Sequence, residues 1–414
     1  MKTQTQLTKR TFLLWTGLIL AAIGSYLFYF IMARMLSVED YGLLYSLIAL
    51  TYLFTIPHET IRTVISKYTT EFWVKKEKGK IKELMIKAIK TISLISIITF
   101  VIFLLLLPLW TKILHTNVWS ISLIGLSLLI TFMLPIIWGV LQGTNRFGHL
   151  GLNNSAEMVV KLALGIILVS IIGLGVNGAI IAIPLSIAAA FFIGFIPIRD
   201  IIKAKKKPFK AEKHLFRYSM SALIIFTFFV ALYSIDIILA RYFFSPLYAG
   251  LYSAVSVISK VLFFGSTAIT RVMFSEIIEK HGKKKTEDSR KKSRKVLFRS
   301  LGFLAIMCGI FLFIAFIFPE LIINVVVGNR YIAATPLLKY MMLAMAFFSF
   351  SSLIVFYNLS IDWHKKITAK ILGSVAFLMM AFLILFHANL EQFVKVILAI
   401  NIGLFLALLT TLKR

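Results

Sequence analysis

Long apolar runs alternate with short polar connections along the chain. Twelve of these runs are about twenty residues long, the length that crosses a ~30 Å hydrocarbon core as a helix. Backbone at membrane depth must satisfy its own hydrogen bonds, and no run shows the alternating pattern of an outer-membrane barrel. The pattern therefore predicts an all-α polytopic membrane protein with about twelve transmembrane helices. Their approximate limits are 12–35, 42–64, 91–111, 118–141, 154–174, 177–198, 217–243, 249–274, 300–323, 336–358, 367–387 and 391–412.

Two stretches of sequence, one in each half of the chain, share a pattern. Residues 33–66 and 236–275 each combine an arginine that precedes a glycine turn with a later Arg-x-x-x-Ser spacing. Internal repeats of this kind are typical of transporters built from two related halves. We therefore expect two pseudo-symmetric six-helix lobes around a central cavity, an N-terminal lobe at 1–198 and a C-terminal lobe at 217–414, joined by a cytoplasmic linker at 199–216.

The positive charge of the chain is unevenly distributed. The net charge is +28, although only 15% of the residues are charged and 59% are apolar. On a twelve-helix topology, 35 of the 45 Lys and Arg residues fall on one side of the membrane. Because positive residues concentrate in cytoplasmic loops, we expect both termini in the cytoplasm. The charge thus indicates membrane orientation and not nucleic-acid binding.

Two cytoplasmic connections, 66–90 and 275–299, are especially basic. In 78–92, apolar residues at helical spacing lie opposite lysines, which predicts an amphipathic helix in the headgroup layer. We expect both connections to bind the headgroups of anionic membrane lipids. A regulatory or protein-binding role is the alternative.

The sequence carries no enzyme signature. It lacks a Gly-rich phosphate loop, a zinc-ligand spacing and a nucleophile elbow. Its single cysteine, Cys308, lies in an apolar run and can form no disulfide within one chain. We expect no catalytic residue, no bound metal and no cofactor.

Ionisable residues inside the apolar runs are the candidates for function, because charge in a bilayer is costly. Lys260 lies near mid-membrane in the eighth span, and Asp236 lies at a comparable depth in the seventh. This placement predicts an Asp236–Lys260 ion pair that faces the cavity. Such a pair can serve structure or transport, and the sequence favours neither.

Four arginines occupy matching places in the two repeats. Arg34 and Arg241 lie near the outer ends of spans one and seven, and Arg62 and Arg271 near the inner ends of spans two and eight. Each arginine alone is typical of a side chain that snorkels to the headgroups. Their recurrence across the repeat favours a cavity lined by cations.

Two further groups of polar residues lie within the first half. Lys161 and Glu157 are one helical turn apart in span five, and His58 and Glu59 follow Pro57, where we expect a helix break. Two roles are considered for His58 and Glu59: they couple transport to protons, or they make a local polar contact. A cationic cavity would select an anionic ligand such as a phosphate or pyrophosphate, while the tail of a lipid substrate stays in the bilayer.

Short motifs over most of the chain carry a family resemblance. They are Ala-Arg-x-Leu-Ser-x-x-x-Tyr-Gly-Leu at 33–43, Leu-Gln-Gly at 141–143 with Arg146 and Phe147, Asp236 followed by Gly250-x-Tyr252, and Gly-Asn-Arg-Tyr at 328–331 with Ala-Thr-Pro-Leu-Leu at 334–338. By these motifs the chain resembles the polysaccharide transporter branch of the multidrug/oligosaccharidyl-lipid/polysaccharide exporter (MOP) superfamily, which contains O-antigen-type flippases.

The resemblance implies a twelve-helix, two-lobe flippase that moves a polyprenyl-(pyro)phosphate-linked oligosaccharide outward by alternating access. It implies that the protein lies in a prokaryotic plasma membrane. A glycan polymerase or glycosyltransferases are the candidate protein partners. The cations that would contact the pyrophosphate or acidic sugars are Lys260, Arg271, Arg62, Lys161 and Arg34. The acidic candidates for an ion pair or for ion coupling are Asp236, Glu59 and Glu157.

Two other functions account for the same features. A cation-coupled exporter of small drugs or metabolites, similar to multidrug and toxin extrusion (MATE) transporters, would use the acidic residues to bind the coupling ion. A non-transporting scaffold of a glycan-assembly complex would depend instead on 66–90 and 275–299.

Overall fold

The computed structural model of the chain is helical throughout the part that it describes. No regular strand occurs in that part. Ten of its helical segments are long and apolar enough to cross a membrane, and Ile23–Met35 is a shorter apolar helix. The predicted all-α, multi-pass fold class is confirmed. The described residues are 23–54, 56–209, 214–281, 287–361 and 365–412.

The helices form two compact units, with a boundary between Ser219 and Met220. The first unit contains α1 (Ile23–Met35), α2 (Val38–Phe54), α3 (Pro57–Val74), α4 (Lys78–Leu105), α5 (Leu107–Leu114), α6 (Val118–Thr131), α7 (Leu134–Gly143), α8 (Phe147–Ile166), α9 (Gly175–Ile193) and α10 (Arg199–Ile202). The second contains most of α11 (His214–Phe243), and then α12 (Pro246–His281), α13 (Glu287–Ile317), α14 (Pro319–Val326), α15 (Thr335–Ser360), α16 (Lys365–Leu385) and α17 (Leu390–Leu409).

Prolines mark several helix starts. Helix α2 is described to Phe54 and α3 begins at Pro57, both within the predicted span 42–64, and residue 55 between them lies outside the described residues. Proline has no N–H to donate, which makes the first turn of a helix its preferred position. Helix α14 likewise begins at Pro319, inside the predicted span 300–323. The start of α3 at Pro57 agrees with the helix break expected there, which stays a prediction because residue 55 is not described.

The basic segment 78–92 is the first half of α4, so the predicted helix is present, but its apolar face packs against protein and not against lipid. Its apolar side chains, among them Ile81, Leu84 and Met85, are buried in a core that includes residues of α3 and α7. A helix that covers protein and one that covers lipid share the same amphipathic pattern. The sequence therefore identified the apolar face correctly but assigned it the wrong neighbour.

Residues 199–209, which we call the strap, pack onto α4. The Asp200 carboxylate lies 2.7 Å from Nζ of Lys78 and accepts a hydrogen bond of 2.8 Å from Nη2 of Arg146. Lys82 donates through Nζ to the backbone oxygen of Ala204 at 3.1 Å. The first part of the predicted linker is thereby fastened to the first unit.

A buried acid and an aromatic ring complete this contact. Glu83 is only 6% exposed, and its carboxylate lies 3.4 Å from Nζ of Lys87 and 3.0 Å from Nζ of Lys206. The ring of Phe209 lies 5.2 Å from the ring of Phe72 and 5.0 Å from Nζ of Lys87. Several lysines of the basic connection 66–90 thus hold the strap.

The second basic connection, 275–299, consists largely of helix extensions. Helix α12 continues to His281 and α13 begins at Glu287, with 282–286 outside the described residues. Arg299 and Glu276 form an ion pair between these extensions.

We predict that Gly79→Ala loosens the strap. A Cβ at Gly79 would lie 2.1 Å from the backbone oxygen of Lys205, and the Gly79 carbonyl accepts a 3.2 Å bond from the Lys207 N–H. Limited trypsin digestion of the purified protein should therefore cleave after Lys203 and Lys205 several-fold faster. Gly302→Ala is the control, because a Cβ there meets open space. Equal cleavage in the two variants would contradict the contact.

Candidate functional site

The first unit contains a partly open pocket of about 240 Å³. Helices α1, α2, α3, α6, α8 and α9 all contribute to its wall, which combines charged, hydroxyl-bearing and aromatic side chains. The lining residues are Ser25, Phe28, Tyr29, Ile48, Thr51, Tyr52, His58, Ser127, Thr131, Glu157, Met158, Lys161, Ile183 and Ile187.

Glycines bring α1 close to α8 beside this pocket. A Cβ on Gly165 would lie 2.8 Å from the ring of Phe28, and one on Gly24 would lie 2.9 Å from Cβ of Met158. Small residues at such positions let the backbones of two membrane helices approach each other closely. The packing holds Phe28 beside the charged turn of α8.

The charged turn of α8 carries Glu157 and Lys161. Residues at i and i+4 share one face of a helix, and both side chains are 8% exposed. Nζ of Lys161 lies 5.2 Å from the ring centre of Phe28 and 5.9 Å from that of Tyr29, which stabilises the ammonium by cation–π attraction. The two charges interact electrostatically but form no direct ion pair in the described structure. Their polar atoms therefore remain available to a ligand.

Hydroxyl groups supply the rest of the polar lining. The hydroxyls of Tyr29 and Tyr52 lie 3.0 Å apart in a hydrogen bond. Thr51 and Thr131 donate to backbone oxygens of their own helices, at 2.7 Å and 2.6 Å. Because each hydroxyl oxygen keeps lone pairs after donating, these groups can accept hydrogen bonds from a ligand.

The sequence singled out two residues of this wall, but as candidates for a cavity between the two lobes and not for a pocket within the first unit. Lys161 and Glu157 were singled out, and the structure brings them together on its wall. Phe28, Tyr29 and Tyr52 were missed. The signal that could have found the tyrosines is their position in apolar helices, where a phenol hydroxyl needs a polar partner.

A second polar cluster joins α3 to α7. Nε of Arg62 donates to Oε1 of Gln142 at 3.1 Å, and the guanidinium lies 5.8 Å from the ring centre of Trp138. A Cβ on Gly139 would lie 2.8 Å from Ile65, and one on Gly143 would lie 2.6 Å from the backbone oxygen of Ser66. The closeness of these two helices places Arg62 against its partners.

Trp138 connects this cluster to the pocket. Its ring lies 5.4 Å from that of His58, a pocket residue. Its Nε1 donates to Oδ1 of Asn153 at 2.8 Å, and Nδ2 of Asn153 donates to the backbone oxygen of Ala190 at 2.9 Å. His58 thus makes a tilted ring contact with Trp138, and the two roles considered for it, proton coupling and a local polar contact, stay predictions.

The second unit contains the predicted ion pair. Nζ of Lys260 lies 3.4 Å from Oδ2 of Asp236, and each side chain is 2% exposed. The hydroxyl of Tyr252 donates to the same oxygen at 2.6 Å, a shorter contact that the sequence did not predict. In this conformation the ammonium is enclosed within the unit, so the predicted contact of Lys260 with substrate stays a prediction.

The paired arginines of the repeat differ in their surroundings. Arg34 is exposed, whereas Arg241 is buried with 4% of its surface accessible. Arg271 is exposed, whereas Arg62 is half-buried against Gln142. The repeated sequence pattern thus identifies equivalent positions in the two halves, but the surroundings of the paired arginines differ. The predicted roles of Arg34, Arg62 and Arg271 stay predictions, and the side chain of Glu59 lies outside the described part.

A family comparison matches most of the chain. The model of a family described as "Polysaccharide biosynthesis protein" matches residues 31–336. The chain belongs to this family. The resemblance stated from the sequence motifs is confirmed. No curated protein sequence gives a significant match.

Solved structures share the fold of this polysaccharide biosynthesis protein at low sequence identity. An inward-facing MATE multidrug resistance transporter of the MOP superfamily has a TM-score of 0.73 at 11% identity, covering 94% of this chain and 92% of its own. The lipid II flippase MurJ, in an inward closed conformation, has a TM-score of 0.73 at 14% identity, covering 97% and 88%. A MOP superfamily transporter from Pyrococcus furiosus has a TM-score of 0.65 at 13% identity, covering 98% and 93%. These similarities establish the transporter fold.

We predict that removal of either charge of the buried pair destabilises this polysaccharide biosynthesis protein. Asp236→Asn removes the carboxylate that lies 3.4 Å from the Lys260 ammonium, and Lys260→Met removes the ammonium and leaves Tyr252 as the partner of the Asp236 carboxylate. Each single change should cost about 3 kcal/mol, and the double change should recover part of that loss. Thermal unfolding in detergent checks both expectations.

An exposed pair provides the control for that measurement. Glu391 and Lys395 lie 2.6 Å apart with half of each side chain accessible, so Glu391→Gln should leave the melting temperature unchanged. Strictly additive losses in the Asp236/Lys260 double variant would show that the two side chains do not interact energetically.

Proposed function

We propose that the protein is a flippase that moves a polyprenyl-(pyro)phosphate-linked oligosaccharide across the cytoplasmic membrane by alternating access, for the synthesis of a cell-surface polysaccharide or glycan. Membership of the polysaccharide biosynthesis family supports a role in the synthesis of a cell-surface polysaccharide or glycan. The fold shared with the lipid II flippase MurJ supports transport of a lipid-linked headgroup. In this proposal the protein carries its substrate and catalyses no covalent step.

The observation that carries this proposal is the polar pocket of the first unit. Charged groups at membrane depth are stable where they meet water, a polar partner or a ligand. Lys161 donates hydrogen bonds, Glu157 accepts them, and the rings of Phe28, Tyr29 and Tyr52 offer apolar faces. A saccharide headgroup presents the complementary hydroxyls and C–H faces, while its lipid tail stays among the acyl chains.

The flippase proposal also assigns roles to the remaining predicted site residues. Arg34, Arg62 and Arg271 are proposed to attract the phosphate of the carrier lipid, because guanidinium matches phosphate geometry. Asp236 and Lys260 are proposed to act as a pair, with substrate contact reserved for a conformation that separates them. Glu59 and Glu157 stay candidates for ion coupling.

The proposal includes a location and partners. The distribution of Lys and Arg supports cytoplasmic termini, and the family resemblance supports a prokaryotic plasma membrane as the location. Exposed lysines of 66–90, among them Lys76 and Lys90, support contact of this region with anionic headgroups. The same role is proposed for 275–299, and a glycan polymerase or glycosyltransferases are the proposed protein partners.

A cation-coupled exporter of drugs or metabolites is the second candidate function. It draws support from the MATE fold similarity, whose TM-score of 0.73 equals that of MurJ. A buried acidic residue such as Glu157 is what such coupling requires. The nearby ammonium of Lys161 weighs against it, because it opposes the entry of a cation into this pocket.

We predict that Lys161→Met slows flipping about tenfold, the effect of losing one hydrogen bond to a charged donor. The assay reconstitutes the protein in vesicles with a fluorescently labelled lipid-linked oligosaccharide and follows its appearance in the opposite leaflet. Lys112→Met is the control, because Lys112 is exposed and outside the pocket.

Three outcomes separate the candidates. A loss of flipping in Lys161→Met alone supports the pocket as part of the pathway. Equal rates in the two variants would remove the pocket from the mechanism. Absence of flipping by the unaltered protein, together with gradient-driven export of a cationic drug, would replace the first proposal by the second.

A further inference from the structure

The pocket of the first unit carries one charge of each sign. Among the lining residues that the structure describes, Glu157 and Lys161 are the only ones with a carboxylate or an ammonium group, and both are nine-tenths buried. An anion that approaches Lys161 is repelled by Glu157 one turn away, and a cation that approaches Glu157 is repelled by Lys161. Their opposed effects disfavour a simple ion of either sign.

The volume of the pocket limits its occupant to a small group. A volume of about 240 Å³ is below the usual range for drug-sized ligands, roughly 300–1,000 Å³. The enclosed part of the pocket therefore suits a group of about the size of one sugar ring. Because the pocket is partly open, the rest of an oligosaccharide can extend beyond it.

The chemistry of the wall matches an uncharged polyhydroxylated ring. The oxygens of Thr51, Thr131 and Glu157 accept hydrogen bonds, and Lys161 donates them. The aromatic side chains of α1 and α2 supply flat apolar surfaces for the C–H faces of a sugar. Buried polar groups that hydrogen-bond a ligand discriminate strongly against analogues without the matching groups.

From charge, volume and wall chemistry together, we infer that this pocket binds a single uncharged or N-acylated sugar residue of the glycan, and that the (pyro)phosphate is bound elsewhere. The inference rests on the proposed flippase function and refines it. Lys161 then acts as a hydrogen-bond donor to sugar hydroxyls, and the arginines outside the pocket are left for the phosphate.

Saturation-transfer difference NMR on the detergent-purified full chain tests this inference. The probes are glucose, N-acetylglucosamine, glycine betaine as a zwitterion, and inorganic pyrophosphate followed by phosphorus line broadening. We expect signals from the ring protons of at least one sugar, with affinity reduced about tenfold in Glu157→Gln and in Lys161→Met. Pyrophosphate binding should be the same in both variants as in the unaltered protein.

Two variants guard against trivial explanations. Glu83→Gln removes another buried carboxylate, one that lies outside the pocket, and should leave sugar binding unchanged. Val159→Ala changes an exposed position of the same helix, outside the pocket, and should also leave sugar binding unchanged. A loss of sugar signal in either control equal to that in Glu157→Gln would overturn the assignment.

The remaining outcomes distinguish this inference from the proposed function. Betaine binding without sugar binding, or pyrophosphate binding that Lys161→Met abolishes, would overturn the inference. Sugar binding that depends on Glu157 in a protein that flips no lipid-linked oligosaccharide would support the pocket and refute the flippase. If the protein flips the lipid-linked oligosaccharide but shows no Glu157-dependent sugar binding, the flippase proposal is supported and the sugar pocket is refuted.

Discussion

Charge in hydrocarbon must be balanced inside the protein, and the arrangement of both units follows from that constraint. The energetic cost of an isolated ion at membrane depth is several kcal/mol, so each buried charge needs a partner, a polar wall or a ring face. Asp236 meets Lys260 and Tyr252 within the second unit. Lys161 meets ring faces and a nearby carboxylate in the first. The same requirement yields a closed pair in one unit and an accessible pocket in the other.

Close helix contacts position these groups. Membrane helices gain little from burying apolar surface against each other, because lipid tails are equally apolar. Their association relies on contacts that bulky side chains would prevent. Gly139 and Gly143 let α7 approach α3, and Gly24 and Gly165 let α1 approach α8. A polar site in this fold thus depends on residues that have no polar side chain.

The sequence was sufficient for the features that depend on length, order and charge. Runs of apolar residues predicted the fold class, and two opposite charges at comparable depth in neighbouring spans predicted the Asp236–Lys260 pair. Features that depend on which helix faces pack against each other could not be predicted from the sequence. Tyr252 is sixteen residues from Asp236 along the chain, and the pocket combines six helices. The apolar face of 78–92 was assigned to lipid because protein and lipid impose the same periodicity.

The charged turn of α8 has an electrical consequence. A membrane potential does about 2.3 kcal/mol of work on each elementary charge moved through 100 mV. Glu157 and Lys161 sit one turn apart with opposite signs, so a displacement of this turn transfers no net charge in their ionised forms. A movement of this turn therefore carries no net charge through the membrane potential, and the pair by itself adds no voltage dependence to the protein.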